Sequence, residues 1–161
     1  MATIKTEGLD EYIKALNDIS AKTEEFCGKA IYHGADVLAD SVKSAITSLP
    51  TDNRPYVKDG RKRGPSDRQK AGLIDGFGIA KMQTDGDSYN VKLGFDGYND
   101  VVTKRWPKGQ PNVIVARAVE SGNSFMQPLK FMARAVNGSK SAAIEEMRKQ
   151  VEQYLNDHMP Q

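Results

Sequence analysis

In the stretch QKAGLIDGFGIAKMQ, Gly72, Gly76 and Gly78 stand just ahead of Lys81, a spacing that raises the chemistry of phosphate binding. A phosphate loop needs four residues between its glycines and then Gly-Lys-Ser/Thr, so that backbone amides surround the anion and the hydroxyl holds magnesium. Here Ile79-Ala80-Lys81 follow the last glycine, and nothing hydroxylic comes directly after the lysine. The dinucleotide fingerprint needs a strand before its glycines and a helix after them, whereas this segment runs into a strand pattern. The glycines are therefore expected to serve backbone geometry, as a bulge or a point of close approach.

Other reactive side chains are few. His33, Asp36 and Asp40 share a helical spacing of the kind metal ligands use, but a polar stripe of this sort on a long helix reads as a solvated face. The segment DGYND, Asp96 to Asp100, lacks the acidic spacing, central glycine and terminal glutamate of an EF-hand. Cys27 is the only cysteine, which excludes an intrachain disulfide. It falls among Phe26, Ala30 and Ile31, where a small buried thiol is expected. With two histidines in the chain, His158 among them in an expected fraying tail, nucleophile–base pairs are scarce. The residues call for no catalytic group, no metal and no cofactor.

The densest functional signal is charge. Arg54, Lys58, Arg61, Lys62, Arg63, Arg68 and Lys70 crowd one segment, opposed there by Asp52, Asp59 and Asp67, although the whole chain carries only +2. Residues 50–70 also hold prolines and glycines and almost no apolar side chains. They read as a long flexible basic loop. Such a run can follow a phosphate backbone with strong salt dependence, or dock on a protein partner. Tyr56 is the one aromatic in it available to stack on bases, so reading of a nucleic-acid sequence is not implied.

The elements around this loop follow from periodicity. Leu9, Ile13, Leu16 and Ile19 lie on one helical face, with Asp10 and Glu11 in the first turn, where the helix dipole favours them. Ile31, Ala35, Leu38, Val42, Ala45 and Leu49 alternate by four and three, predicting a long amphipathic helix from about Lys22 to just before Pro50. Ala30, Gly34, Ala35 and Ala39 on that helix would admit a close neighbour. From Gly72 the period changes. GFGIAKMQ and SYNVKLGF flank TDGD, and Tyr89, Val91 and Leu93 alternate with polar residues, which predicts a β-hairpin with Asp85-Gly86 near its tip. TKRWPKGQPN reads as another loop. Val115, Ala118 and Val119 have helical spacing and Gly122 is suited to close a short helix. The stretch FMQPLKFMARAV fits strand or helix. After Asn137-Gly138 a serine-capped helix is expected, carrying Ile144, Met147, Val151, Tyr154 and Leu155 on one face.

Helices, then a hairpin or small antiparallel sheet, then a C-terminal helix define an α+β fold. A chain of 161 residues is the length of one domain, 1–161. It has no run near the roughly 18 apolar residues that span a bilayer and no secretory leader, so expression in the cytoplasm is the expectation.

Several segments converge on one family. GLDEYIKAL, the Ala-rich second helix, GLIDGFGI, VKLGFDGYN, ARAVESGNS and PLKFMARAV resemble, in order and over nearly the whole chain, the small virion proteins of long-tailed phages typified by gene product ten of the Hong Kong lambdoid phage. Gly72 and Leu73 match the family's Gly-x-Leu entry to the hairpin. Val91, Gly94 and Phe95 match its Val-x-x-Gly strand end, and Val119, Glu120 and Gly122 a Val-Glu-x-Gly corner. Phe131 and Ala135 match a Pro-Phe-x-x-x-Ala segment, with Lys130 in the place of the proline. The resemblance implies a structural protein of the head–tail junction, made in the host cytoplasm and ending in the virion neck or tail. It implies tail completion or head–tail joining, self-assembly into a ring, hexameric by expectation, and neighbours in the head connector and the tail tube or tail terminator. DNA would pass through the channel of that ring, and the basic loop would line it or order against a neighbour. The alternative from a different class is a nucleic-acid-binding accessory module using residues 54–70.

Overall fold

The computed structural model describes residues 9–55, 60–86 and 88–159. The elements in chain order are α1 (Leu9–Ala21), α2 (Thr23–Thr47), α3 (Asp67–Gly76), β1 (Phe77–Ile79), β2 (Gln83–Asp85), β3 (Ser88–Asn90), β4 (Leu93–Phe95), α4 (Asn112–Ser121) and α5 (Phe131–His158). The fold is α+β, as the sequence pattern requires.

The backbone of the molecule is the antiparallel pair α2 and α5. Phe26 stacks on Tyr154 with ring centroids 4.6 Å apart, Met147 covers Gly34, and the Ser41 hydroxyl donates to the Ala135 carbonyl at 3.2 Å. The start of one helix therefore lies against the end of the other. The close approach runs along the small residues: Ala30, Gly34, Ala35 and Ala39 are all buried. A Cβ on Gly34 would sit 2.7 Å from Met147 Cε. The buried stripe continues through Val42 and Ile46, while Ile31, Leu38 and Ala45 flank it half-buried. Cys27, expected buried, is also half-buried.

Three expectations for the C-terminal helix need correction: its start, its inner face and its tail. α5 begins at Phe131 and passes through Asn137-Gly138 without a break. Ser139 does not cap it; its hydroxyl donates to the Ala135 carbonyl one turn earlier, at 2.8 Å, as serine does inside a helix. The inner face holds Ala143 in place of Ile144, which is exposed together with Leu155. His158 stacks on Tyr154 at 4.1 Å in the last turn of the helix, where a fraying tail was expected.

The hairpin forms as the alternation predicts. β1 pairs with β4 in the register Phe77↔Phe95, Gly78↔Gly94, Ile79↔Leu93. β2 pairs with β3 as Gln83↔Asn90, Thr84↔Tyr89, Asp85↔Ser88, with Gly86 in the left-handed region at the tip. It folds back along α2, where the Met82 amide donates to the Tyr32 hydroxyl at 2.7 Å.

The entry to the hairpin differs from expectation. Gly72 and Leu73 sit inside α3, a helix that also takes in Arg68 and Lys70. Its start is fixed by a capping box: the Gln69 amide donates to Ser66 Oγ at 3.2 Å and the Ser66 amide donates to Gln69 Oε1 at 2.9 Å. The basic loop therefore ends at Ser66. Gly72 and Gly76, one turn apart, give α3 a face without side chains. A Cβ at Gly72 would lie 2.7 Å from Asn112 Oδ1, and one at Gly76 would collide with the Asp96 carbonyl oxygen. These glycines permit a close approach of helix to chain and leave no cradle for an anion.

One apolar cluster binds the parts: Val42, Ile46 and Leu49 of the α2 end, Leu73, Phe77, Val115 and Val119, Met126 and Phe131. No helix among the described residues is long and apolar enough to cross a membrane.

Candidate functional site

The features that could engage a partner gather at the end of the molecule where α2 finishes. Asp52 organises the first of two basic segments there. Its carboxylate is 7% exposed as a residue. It accepts Arg54 Nε at 2.9 Å and Arg54 Nη2 at 2.6 Å, and the Arg63 amide at 3.0 Å. The Arg54 guanidinium, with the Arg63 amide behind it, holds this carboxyl well below the usual carboxylate range. The Asp52 amide donates to the Pro65 carbonyl at 2.9 Å. Asn53 clasps Asp67 in both directions, which also lowers the Asp67 pKa. Lys62 pairs through its backbone with Phe125 and Gln127.

Most of the expected docking cations are thereby assigned to the fold. Arg54 serves Asp52. Lys62 Nζ lies 3.4 Å from the Asp52 carbonyl. Arg68 forms an ion pair with Asp100 at 2.9 Å and donates to the Asp100 carbonyl at 2.6 Å. Lys70 Nζ donates to the carbonyls of Thr47 and Leu49, at 2.7 and 2.8 Å. These carbonyls close the C-terminal end of α2, where a cation is favoured by the helix dipole. Arg61 and Arg63 have exposed side chains without an acid partner among the described residues. Lys58 lies outside the described residues. Where it is described, the run is bonded to itself and to the rest of the fold through its own polar groups.

The second basic segment was not singled out from the sequence. Lys104, Arg105 and Lys108 occupy a turn between Asn99 and Gln110. It is closed by the Asn99 amide donating to the Gln110 carbonyl at 2.9 Å and by reciprocal backbone bonds between Thr103 and Trp106. Buried Asn99 and Asn112 anchor its base. Asn99 Nδ2 donates to the Gln110 carbonyl at 3.0 Å, and Asn112 Nδ2 to the Asp96 carbonyl at 2.9 Å. The Arg105 guanidinium lies 5.5 Å from the centre of the Trp106 ring. Tyr98 and Val102 stand out from this turn, 67% and 65% exposed. The bond between the Gln69 and Gln110 side chains, 2.6 Å, joins the two basic segments side by side. The density of lysine, arginine and tryptophan in TKRWPKGQPN was the available signal.

No protein-family model, curated protein or solved structure matches the chain.

The positions that carry the phage-protein resemblance have structural tasks. Phe95 packs on Phe77 at 5.1 Å and edge-on to Phe131 at 6.3 Å. Leu73 is fully buried among them. The Glu120 carboxylate accepts the Met132 and Ala133 amides, at 2.8 and 3.1 Å, and so caps α5 from α4. Gly122, at φ 72°, turns the chain so closely that a Cβ would lie 2.8 Å from Pro128 Cδ. Gly72 faces Asn99 and Asn112, and Gly94 lies opposite Gly78 with open space above it. Lys130, in the place of the family's proline, adopts φ 48°, which a pyrrolidine ring held near −65° could not. Among the described residues, no group of three His, Cys, Asp or Glu side chains is placed to share a metal ion. His33, Asp36 and Asp40 are each exposed.

Proposed function

We propose that the protein is a structural component of the phage head–tail junction, a tail-completion or head–tail joining subunit that assembles as a ring between connector and tail tube. The observation that carries this reading is the joint just described. Positions scattered from Gly72 to Phe131, which carry the resemblance in sequence, converge to hold α3, the hairpin, α4 and α5 together. A motif set that builds a joint suits a scaffold, and leaves the exposed surfaces to do the work by contact. Neighbours are then the head connector and the tail tube or terminator, with the protein working in the host cytoplasm during assembly and in the virion afterwards.

A second reading, contact with nucleic acid, has one observation in its favour. The exposed cations Lys104, Arg105 and Lys108 share one turn with Trp106, over which Arg105 lies, and that turn is bonded to the first basic segment through Gln69 and Gln110. As a free-standing activity, this contact predicts binding that weakens steeply with salt, with the slope reduced by about one for each phosphate contact neutralised.

The test is complementation. Purified protein is added to a lysate of the encoding phage grown without this gene, and plaques are counted. A large rise in infectious particles is expected. No rise, in a lysate whose heads and tails are already joined, would sink the junction role.

A further inference from the structure

The molecule carries a second unpartnered surface, at the opposite end. α1 is a regular amphipathic helix, yet none of its residues is buried. Leu9, Ile13 and Leu16 stand 52%, 48% and 52% exposed, in the stripe that the sequence spacing lays along one face. Asp10, Glu11 and Asp18, against Lys14, give this helix a net negative charge. Far from it, the 98–108 turn presents Tyr98 and Val102 with Lys104, Arg105 and Lys108, while its one acid, Asp100, is paired with Arg68.

We infer that α1 of one copy docks on the 98–108 turn of the next copy, head to tail. This inference rests on the assembly reading above and names its contact. The charges and the apolar areas are complementary, so each surface supplies what the other lacks. A single chain cannot make the contact with itself. Only Lys22 separates α1 from α2, and α2, with 25 residues, holds the two ends about 37 Å apart. Pairing of like with like is opposed by charge, because two acidic helices or two basic turns repel. What remains is a heterologous contact, which closes into a ring or runs on as a filament. The turn is already fixed by Asn99, Asn112 and the Thr103–Trp106 bonds, so binding orders little that is not ordered beforehand.

The experiment uses the full chain with Cys27→Ser. Ile13→Cys and Val102→Cys are introduced together and the protein is oxidised mildly. A ladder of dimers, trimers and larger species on a non-reducing gel is expected, falling at least tenfold in 1 M salt. Ile13→Cys alone should stay monomeric; a strong Ile13 self-disulfide, or no ladder from the pair, would overturn the contact. A second arm is independent of cysteine geometry. One variant carries Asp10→Lys, Glu11→Lys and Asp18→Lys; another carries Lys104→Glu, Arg105→Glu and Lys108→Glu. Neither should associate alone, and their mixture should, as read by sedimentation velocity. Association of either variant alone at wild-type strength, or a mixture that stays monomeric, counts against the contact. A chain that complements the phage but forms no ladder would end this contact and leave the junction role standing. A chain that forms the ladder but never complements would do the reverse.

Discussion

Where α2 begins and α5 ends, the structure is held by apolar side chains lying on a ring or on bare helix backbone: Phe26 on Tyr154, Met147 over Gly34, Met82 against Gly28. At the other end, around and beyond the last turn of α2, the apolar cluster is bordered and fixed by polar groups that each satisfy several others: Asp52, Asn99, Asn112 and Glu120. The two kinds of construction respond differently to change. Methionine rotates to refill space, whereas a buried amide or carboxylate has one geometry, and losing a partner leaves its neighbours unsatisfied. The polar end is therefore the end that can present loops in a fixed shape, and it is there that the exposed cations and aromatics stand. The packed end presents a helix, α1, that rests on α2 and α5 and hides none of its residues.

The largest effect should come from the link between the ends. Leu73 is fully buried in the apolar cluster, and Leu73→Ala is expected to lower stability by about 3 kcal/mol in urea unfolding. The glycines offer a direct contrast. Gly76→Ala sets a Cβ against the Asp96 carbonyl and the Asn112 amide, with an expected loss of about 2 kcal/mol. Gly34→Ala sets a Cβ 2.5 Å from Met147 Cγ, so the whole methionine must turn, but no backbone or amide group is struck and helix propensity is gained; the expected loss is smaller, about 1 kcal/mol. Equal losses at the two positions would erase the distinction drawn here.

Acid should loosen the polar end first. Asp52 and Asp67 have folded pKa values below their unfolded ones. The stability they contribute is complete above the unfolded value of about 4 and is lost as pH falls from there through the folded values. Thermal midpoints of the natural chain should drop below about pH 4, and Asp52→Asn should be less stable at neutral pH with a flatter decline in acid. Smaller again, Glu120→Ala removes the cap on α5, at about 1 kcal/mol. The smallest effect belongs to α1. Leu16→Ser should change unfolding free energy by no more than about 0.5 kcal/mol, because Leu16 is half exposed. A loss of 2 kcal/mol there would mean that α1 is part of the monomer's core.

How much of this was legible in the sequence depended on the range of the forces. α2 was visible because its stripe and Pro50 are local signals, and the hairpin because strand alternation and Asp85-Gly86 are local too. The start of α3 was also local: Ser66-Asp67-Arg68-Gln69 is a capping-box spacing, overlooked among the surrounding prolines and charges. Gly138 suggested a break in α5, but a long helix packed on α2 from Phe26 to Ser41 carries one glycine without parting. The candidate surface was the least legible. The cations could be counted, but which of them the fold uses depends on Asp100 and on the Thr47 and Leu49 carbonyls, lying 21 to 32 residues away from Arg68 and Lys70. The neighbouring turn that carries Lys104 to Lys108 joins the first segment through the Gln69–Gln110 bond and the Arg68–Asp100 pair, pairings with no local trace.

The central claim is a place in the virion, and gold-labelled antibody tests it most directly. Particles of the phage or induced prophage that encodes the chain would be purified, labelled and imaged by negative-stain electron microscopy. Gold at the neck, between head and tail, is the predicted result. Gold on the capsid, at the tail tip or nowhere on intact particles would contradict it.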